Sequence, residues 1–221
     1  MNTTSTGKRS PLHNWHASHC DNWCQLGETP LPRQFAAAEE EQLAAGQLAL
    51  CDLSGLPLLE VKGPDASGWL RGRDLPVPAA IYEGTSTSEW GWITRTGREE
   101  FLLRGAVGSR HSELAGSDPA GDLLITSRQD AIFVVAGSRS GELMAQTCGL
   151  DYASLASRQT LFSRVAGVSC GMTKDQLNDI PVCWLWLDPS HALYLWEQLA
   201  QIIGDLDGKV VGVSCFYPDV P

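Results

Sequence analysis

Ala131-Ile132-Phe133-Val134-Val135-Ala136-Gly137 is the strongest strand signal in the chain: six apolar residues closed by a glycine, with a short helical segment from Ser140 to Thr147 behind them. The stretch Leu59-Glu60-Val61-Lys62-Gly63, 74 positions earlier, carries the same pattern. With Gly63 laid on Gly137, Leu59 falls on Phe133, Val61 on Val135, and Leu70 of the following helix on Met144. Each copy is then a strand, a glycine-led corner and a short helix with one large apolar residue facing a sheet. Read as a duplication, this predicts an α+β fold of two related sheet-and-helix lobes. Strand-corner-helix units are common, so the repeat speaks to structure and not to function.

The remaining segments fit around these two. A tail, 1–10, is polar and expected to be disordered. The first lobe is expected over 11–104, a linker over 105–121 where Gly, Ser, Asp and Pro dominate, and the second lobe over 122–221, the whole forming one compact domain. Within the first lobe, Ala36 to Ala45 predicts a helix closed by Gly46, and Leu48 to Val61 a strand broken near Gly55 and Pro57. Glu89 to Arg104 predicts a hairpin turning at Thr96-Gly97-Arg98. Within the second, Leu161 to Ser169 and Val182 to Leu187 predict strands, Pro189 to Ile203 an amphipathic helix N-capped by Asp188, and Val210 to Phe216 a final strand.

Composition excludes several classes. A formal charge of -10 argues against nucleic acid, which calls for clustered Lys and Arg. No apolar run reaches the roughly 18 residues of a membrane helix, so the chain is not expected to span a bilayer. Seven cysteines in a chain long enough to build its own core point to the cytoplasm rather than to a disulfide scaffold. Cys51, Cys183 and Cys215 lie in strand-like stretches as small core residues.

The residues that define these segments also resemble a known family. Ser10-Pro11-Leu12-His13 with His16, Ala45-Gly46 with Asp52-Leu53-Ser54, and Val61-Lys62-Gly63-Pro64 are similar to the aminomethyltransferase (glycine-cleavage T-protein) superfamily. Val135-Ala136-Gly137, Cys148-Gly149-Leu150-Asp151-Tyr152, Phe162-Ser163-Arg164 and His191-Ala192-Leu193-Tyr194-Leu195-Trp196 resemble one branch of it, the gamma subunit of heterotetrameric sarcosine oxidase. The resemblance runs from about Ser10 to near the C-terminus. It implies a fold like the folate-binding part of the T-protein and a larger flavoprotein or folate-dependent subunit as the partner; in the sarcosine oxidase branch the flavin, NAD and folate sites lie on other subunits, so tetrahydrofolate is a cofactor of this chain only under the alternative reading below. The T-protein sets a catalytic carboxylate pair just after a Gly-rich hairpin turn. The matching stretch here, Trp90-Gly91-Trp92-Ile93-Thr94-Arg95, has Thr94 and Arg95 where acids are needed, and neither can accept a proton as a carboxylate does. The resemblance therefore implies a non-catalytic accessory subunit of a one-carbon enzyme complex. The alternative is a standalone tetrahydrofolate or pterin binder, its pocket lined by Trp90 or Trp92.

Three constellations stand beside that reading. His13, His16, Cys20 and Cys24 are spaced so that three of them share a helix face, and imidazole with thiolate can hold zinc or another soft divalent metal, which makes a metal-binding module a third reading. The alternative is a helix that packs Trp15 and Trp23 while its histidines face solvent or a partner. Cys170, beside Gly171, is either a reactive or a structural thiol. Trp184 and Trp186 alternate with Cys183 and Leu185, so the tryptophans suit either a protein interface or a core face covered by the helix from Pro189. No Gly-rich dinucleotide loop and no nucleophile elbow is present.

Overall fold

The computed structural model describes residues 8–117 and 121–221. Most of the tail expected to be disordered, 1–7, lies outside the described residues, whereas Ser10 is buried. The chain runs α1 (His13–His19), β1 (Trp23–Leu26), β2 (Thr29–Pro32), α2 (Ala38–Gln47), β3 (Ala49–Asp52), β4 (Leu58–Lys62), α3 (Ala66–Arg71), β5 (Gly84–Thr87), β6 (Gly91–Gly97), β7 (Glu100–Arg104), α4 (His111–Ala115) and β8 (Leu124–Arg128). It continues as β9 (Ala131–Ala136), α5 (Ser140–Thr147), β10 (Thr160–Val165), β11 (Val168–Leu177), β12 (Ile180–Leu187), α6 (Ala192–Asp205) and β13 (Lys209–Val210). The stretch 105–121 carries the short helix α4. Among the described residues no helix is long and apolar enough to cross a membrane.

A five-stranded sheet has the order β5-β6-β7-β4-β8, and a six-stranded sheet the order β10-β11-β12-β9-β3-β13. Laid over each other, β4 matches β9, β7 matches β12, and β8 matches β3, with every one of these neighbours antiparallel to its central strand. The match contains an exchange. β3 directly precedes β4 in the chain but pairs with β9 of the other sheet, and β8 directly precedes β9 but pairs with β4. Each sheet is thus completed by a strand from the opposite half.

The two glycines that align in sequence sit at the two crossing points. Gly63 and Gly137 have φ of 131° and 105°, a region that L side chains avoid. A Cβ on Gly63 would stand 2.4 Å from the Asp122 carbonyl oxygen, and one on Gly137 would stand 2.2 Å from that of Gln47. Asp122 and Gln47 are the residues leading into β8 and β3, so each corner packs against the entry to the exchanged strand. Each glycine carbonyl then opens the following helix, accepting from Ala66 N at 3.0 Å and from Ser140 N at 3.1 Å.

The layers follow from which faces are apolar. Helices α5 and α6 cover the outer face of the six-stranded sheet through Leu143, Met144, Leu195, Trp196 and Leu199, packed on Phe133, Val135 and Leu185. Fully burying a side chain of this size contributes roughly 2–3 kcal/mol. Helices α3 and α4 cover the outer face of the five-stranded sheet through Trp69, Leu70 and Leu114. Between the sheets Leu58 and Leu102 meet Ile132, Trp184 and Trp186, and the rest of that inner face is closed by α2 and the β1-β2 hairpin. Buried on both sides, β9 has no polar alternation, which is why it reads so strongly as a strand.

Three expectations are corrected. The strand expected over Leu161 to Ser169 is the hairpin β10-β11, turned at Ala166 and Gly167, both at positive φ. The final strand expected over Val210 to Phe216 is a two-residue pairing followed by a 3-10 turn at Val213–Cys215. The pair Trp184 and Trp186 faces the other sheet, while α6 covers the opposite, Cys183 and Leu185, face of β12.

Substituting Gly137→Ala or Gly63→Ala is expected to cost about 2–4 kcal/mol, because strain and a backbone clash coincide. Gly46→Ala is expected to stabilise by about 0.5–1 kcal/mol, since Gly46 sits exposed in α2 with nothing within 4 Å of a new Cβ. Urea unfolding midpoints of the three variants check both signs.

Candidate functional site

The N-terminal histidines do not gather into a metal centre. His16 is fully buried, and its Nε2 lies 2.8 Å from Asp52 Oδ2. Asp52 also accepts from Ser10 Oγ at 2.5 Å, and from Ser54 N at 2.9 Å and Ser54 Oγ at 2.5 Å. Ser54 Oγ in turn accepts from Ile132 N at 3.0 Å, which carries the β3-β9 pairing one residue further. This network ties α1 to the outer face of the six-stranded sheet, beside Leu50, Phe133 and Trp196. His19 stacks on Trp15 with ring centroids 3.9 Å apart, and His13 tilts against Trp23 at 5.4 Å. Cys20 ends α1, donating to the Asn22 and Gln34 carbonyls, and Cys24 is buried on β1. The helix ends at His19, so Cys20 does not continue the face expected to hold His13 and His16, and Cys24 does not follow one helical turn later. Among the described residues no three His, Cys, Asp or Glu side chains are placed to hold a metal ion.

The hairpin that the family resemblance singles out is β6-β7. Gly91, at φ 81°, breaks the alternation of its strand, so Trp90 and Trp92 enter different cores. Trp90 packs with Ile93 and Phe101 beneath the outer helices, with the Arg110 guanidinium 4.6 Å over its ring. Trp92 faces the seam and lines a cavity of about 10 Å³, far below the several hundred Å³ of a site for a cofactor-sized ligand. Neither indole, as placed, faces space for a pterin.

Thr94 and Arg95 are both committed. Thr94 is fully buried, and its Oγ1 reaches the Glu83 carbonyl at 3.2 Å and Thr160 Oγ1 at 2.7 Å; Thr160 continues to Thr173 Oγ1 at 3.0 Å. By strand register Thr94 and Thr173 are equivalent positions of the two copies, each opposite a seam residue, Leu102 and Trp184. The hydroxyl chain therefore bridges the sheets where the duplication brings its halves together. Arg95 donates to the carbonyls of Ala79 at 2.8 Å and of Gly97 and Arg98 at 3.2 Å, holding the hairpin turn and the preceding loop. No carboxylate occupies the position that the resemblance reserves for one.

Next along the seam is Arg104, 8% exposed, with its guanidinium 3.5 Å above the Trp184 ring and 5.9 Å from the Trp92 ring. Burial pulls its pKa down to about 10, an effect partly offset by Tyr217 and Asp175. Sequence reading passed over Arg104 because an arginine ending a hairpin strand reads as exposed.

Beyond the closed part, the seam opens into a cleft of about 760 Å³. Its floor is Gly171, on which the Trp186 indole lies so closely that a Cβ would stand 2.1 Å from the ring. Phe162, on the edge strand β10, is 55% exposed and meets Trp186 edge-on at 6.0 Å. The Arg128–Asp130 ion pair, at 2.9 Å, stands on the rim. Cys170 borders the cleft but is 3% exposed, and burial pushes its thiol up to about 12, which marks it as structural.

Asp52→Ala is expected to cost about 3 kcal/mol by leaving His16, Ser10 and Ser54 donors buried without an acceptor, and Asp52→Asn less; denaturant midpoints read both. Elemental analysis after desalting is expected to find no stoichiometric zinc, and one zinc per chain would contradict the placement of His16 and Cys24.

No protein-family model matches the chain. An aminomethyltransferase of Desulfitobacterium hafniense is 22% identical over 227 residues, covering 94% of this chain and 61% of that protein, and the aminomethyltransferase of a second strain matches equally. The chain thus spans about three fifths of the length of the curated relatives it matches. Among solved structures, the glycine cleavage system aminomethyltransferase T of Bartonella henselae superposes with a TM-score of 0.76 at 19% identity, over 95% of this chain and 61% of that one. A chain of the heterotetrameric sarcosine oxidase of Corynebacterium sp. U-96, solved in complex with pyrrole 2-carboxylate, gives 0.64 at 12% identity, over 91% of this chain and 97% of that one. Two sheets, helices on their outer faces and a strand exchanged at each glycine corner are thus the form taken here by the aminomethyltransferase-like fold.

Proposed function

We propose that this chain is an accessory subunit of a one-carbon enzyme complex, partnered by a larger flavin- or folate-dependent protein and carrying no transfer chemistry of its own. The observation that carries this reading is Thr94. The position expected to hold a catalytic acid holds a hydroxyl locked between Glu83 O and Thr160, without a carboxylate and without room for a substrate. The correspondence with nearly all of one chain of a heterotetrameric oxidase supports the assignment to a subunit, and the cytoplasm is the compartment that fits it. Tagged chain purified from its source at native level is expected to bring down a larger protein in fixed stoichiometry, with visible flavin absorbance in the complex. A chain that elutes alone and monomeric under the same conditions would overturn the proposal.

A second reading, a tetrahydrofolate or pterin binder, is favoured by one observation: the open cleft beside Phe162 and Trp186 has the volume and aromatic lining of a small-molecule site. Titration with a reduced folate would quench Trp186 fluorescence under this reading, and Gly171→Val, which displaces that indole, would abolish the quench.

A further inference from the structure

β10 is the edge of the six-stranded sheet, and the chain itself closes that edge at both ends. At one end the loop before β5 pairs with it through the Glu83–Gln159 bridge. There Thr160 N donates to the Tyr82 carbonyl at 2.7 Å, and Gly84 N to the Arg158 carbonyl at 2.9 Å. At the other, the end of α5 pairs through the Cys148–Val165 bridge, where Ala166 N donates to the Thr147 carbonyl at 2.7 Å. Backbone groups alternate in direction along a strand, so the N–H groups of Phe162 and Arg164 point the same way as that of Thr160, outward from β11. From Gln159 to Val165 the strand advances about 20 Å, and among the described residues no segment pairs with the stretch between the two bridges. Phe162 stands in the middle of this gap.

The gap is not guarded as open edges usually are, since it carries neither a proline nor a bulge. Phe162 is exposed there, with the exposed Tyr82 ring 6.0 Å from its own and the exposed Leu150 on the same cleft. Single exposed apolar residues are ordinary, but a group of them on an unpaired edge is a surface for another chain. The local charge is opposite to that of the whole. In a chain of net charge -10, Arg158 and Arg164 at the two ends of the gap are exposed and make no ion pair among the described residues. The carboxylates on the cleft, Asp130 and Asp188, are already held by Arg128 and by Ser190.

We propose that the gap in the edge of β10 receives an extended acidic segment of the larger partner, added as a strand between the Glu83 and Cys148 bridges. The proposal rests on the accessory-subunit reading and names the surface that such a role needs. Main-chain pairing with Phe162 and Arg164 holds the segment, an apolar side chain of it packs against Phe162 and Trp186, and its carboxylates meet Arg158 and Arg164. A second copy of this chain fits less well, because it brings the same two arginines to the contact.

The test uses the tagged full chain and the complex it forms at native level. Amide exchange is compared between the free chain and the complex, and Arg164→Glu and Phe162→Pro are taken through the same purification. Proline here removes only an outward N–H, which an edge strand tolerates. Exchange across 160–164 is expected to slow at least roughly tenfold in the complex, and each variant to lower the recovered partner roughly tenfold. Should Phe162→Pro fail to fold, Arg164→Glu and the wild-type exchange carry the decision. A wild-type complex in which 160–164 exchanges as in the free chain, or in which both variants keep their partner, would overturn this proposal and leave the accessory role standing. A wild-type chain that recovers no partner would overturn both. Protection of 160–164 in the isolated chain as its concentration rises would assign the edge to a second copy, and so overturn the proposal as well.

Discussion

The structure depends on one constraint: neither half of the duplication can complete its sheet with its own residues. β3 is placed by the chain beside β4 but hydrogen-bonds to β9, and β8 is placed beside β9 but hydrogen-bonds to β4. The crossings require the backbone to pass close to the corner that follows each central strand, and only a residue without a Cβ fits there. Gly63 and Gly137 follow from this, as do the tight helix starts behind them. The seam itself follows too. Once the strands are exchanged the inner faces lie against each other, which buries Trp184 and Trp186, aligns Thr94 with Thr160 and Thr173, and encloses Arg104.

Function is shaped by the same seam. That seam is closed by the hydroxyls of Thr94, Thr160 and Thr173 and by the indole of Trp184, and the proposed accessory role rests on that closure. What stays open is the cleft at Phe162, whose exposed ring lies beside the buried Trp186.

Much of the fold was legible in the residues. β9 and α5 appear where Ala131–Ala136 and Ser140–Thr147 predict them, because a strand buried on both faces must be apolar throughout. The glycine alignment predicted the duplication, since positive φ leaves a mark in composition. The exchange was not legible, because pairing partners leave no trace in the pattern of a short strand. The β10-β11 turn was hidden by Ala166, an ordinary residue in a left-handed conformation. At the candidate site, the missing acids at Thr94 and Arg95 could be read directly. The fate of His16 could not: its spacing to Cys20 suggests a ligand face, but Asp52, thirty-six residues on, takes its imidazole. Trp92 was singled out for its aromatic surface, and the left-handed Gly91 decided which core it entered.

Interlocked sheets should melt as one unit, because opening either removes the strand that completes the other. Differential scanning calorimetry of the purified chain tests this most directly. A single transition is predicted, with equal calorimetric and van't Hoff enthalpies. Two resolved transitions, or a van't Hoff enthalpy well below the calorimetric one, would contradict it and show that the halves fold separately.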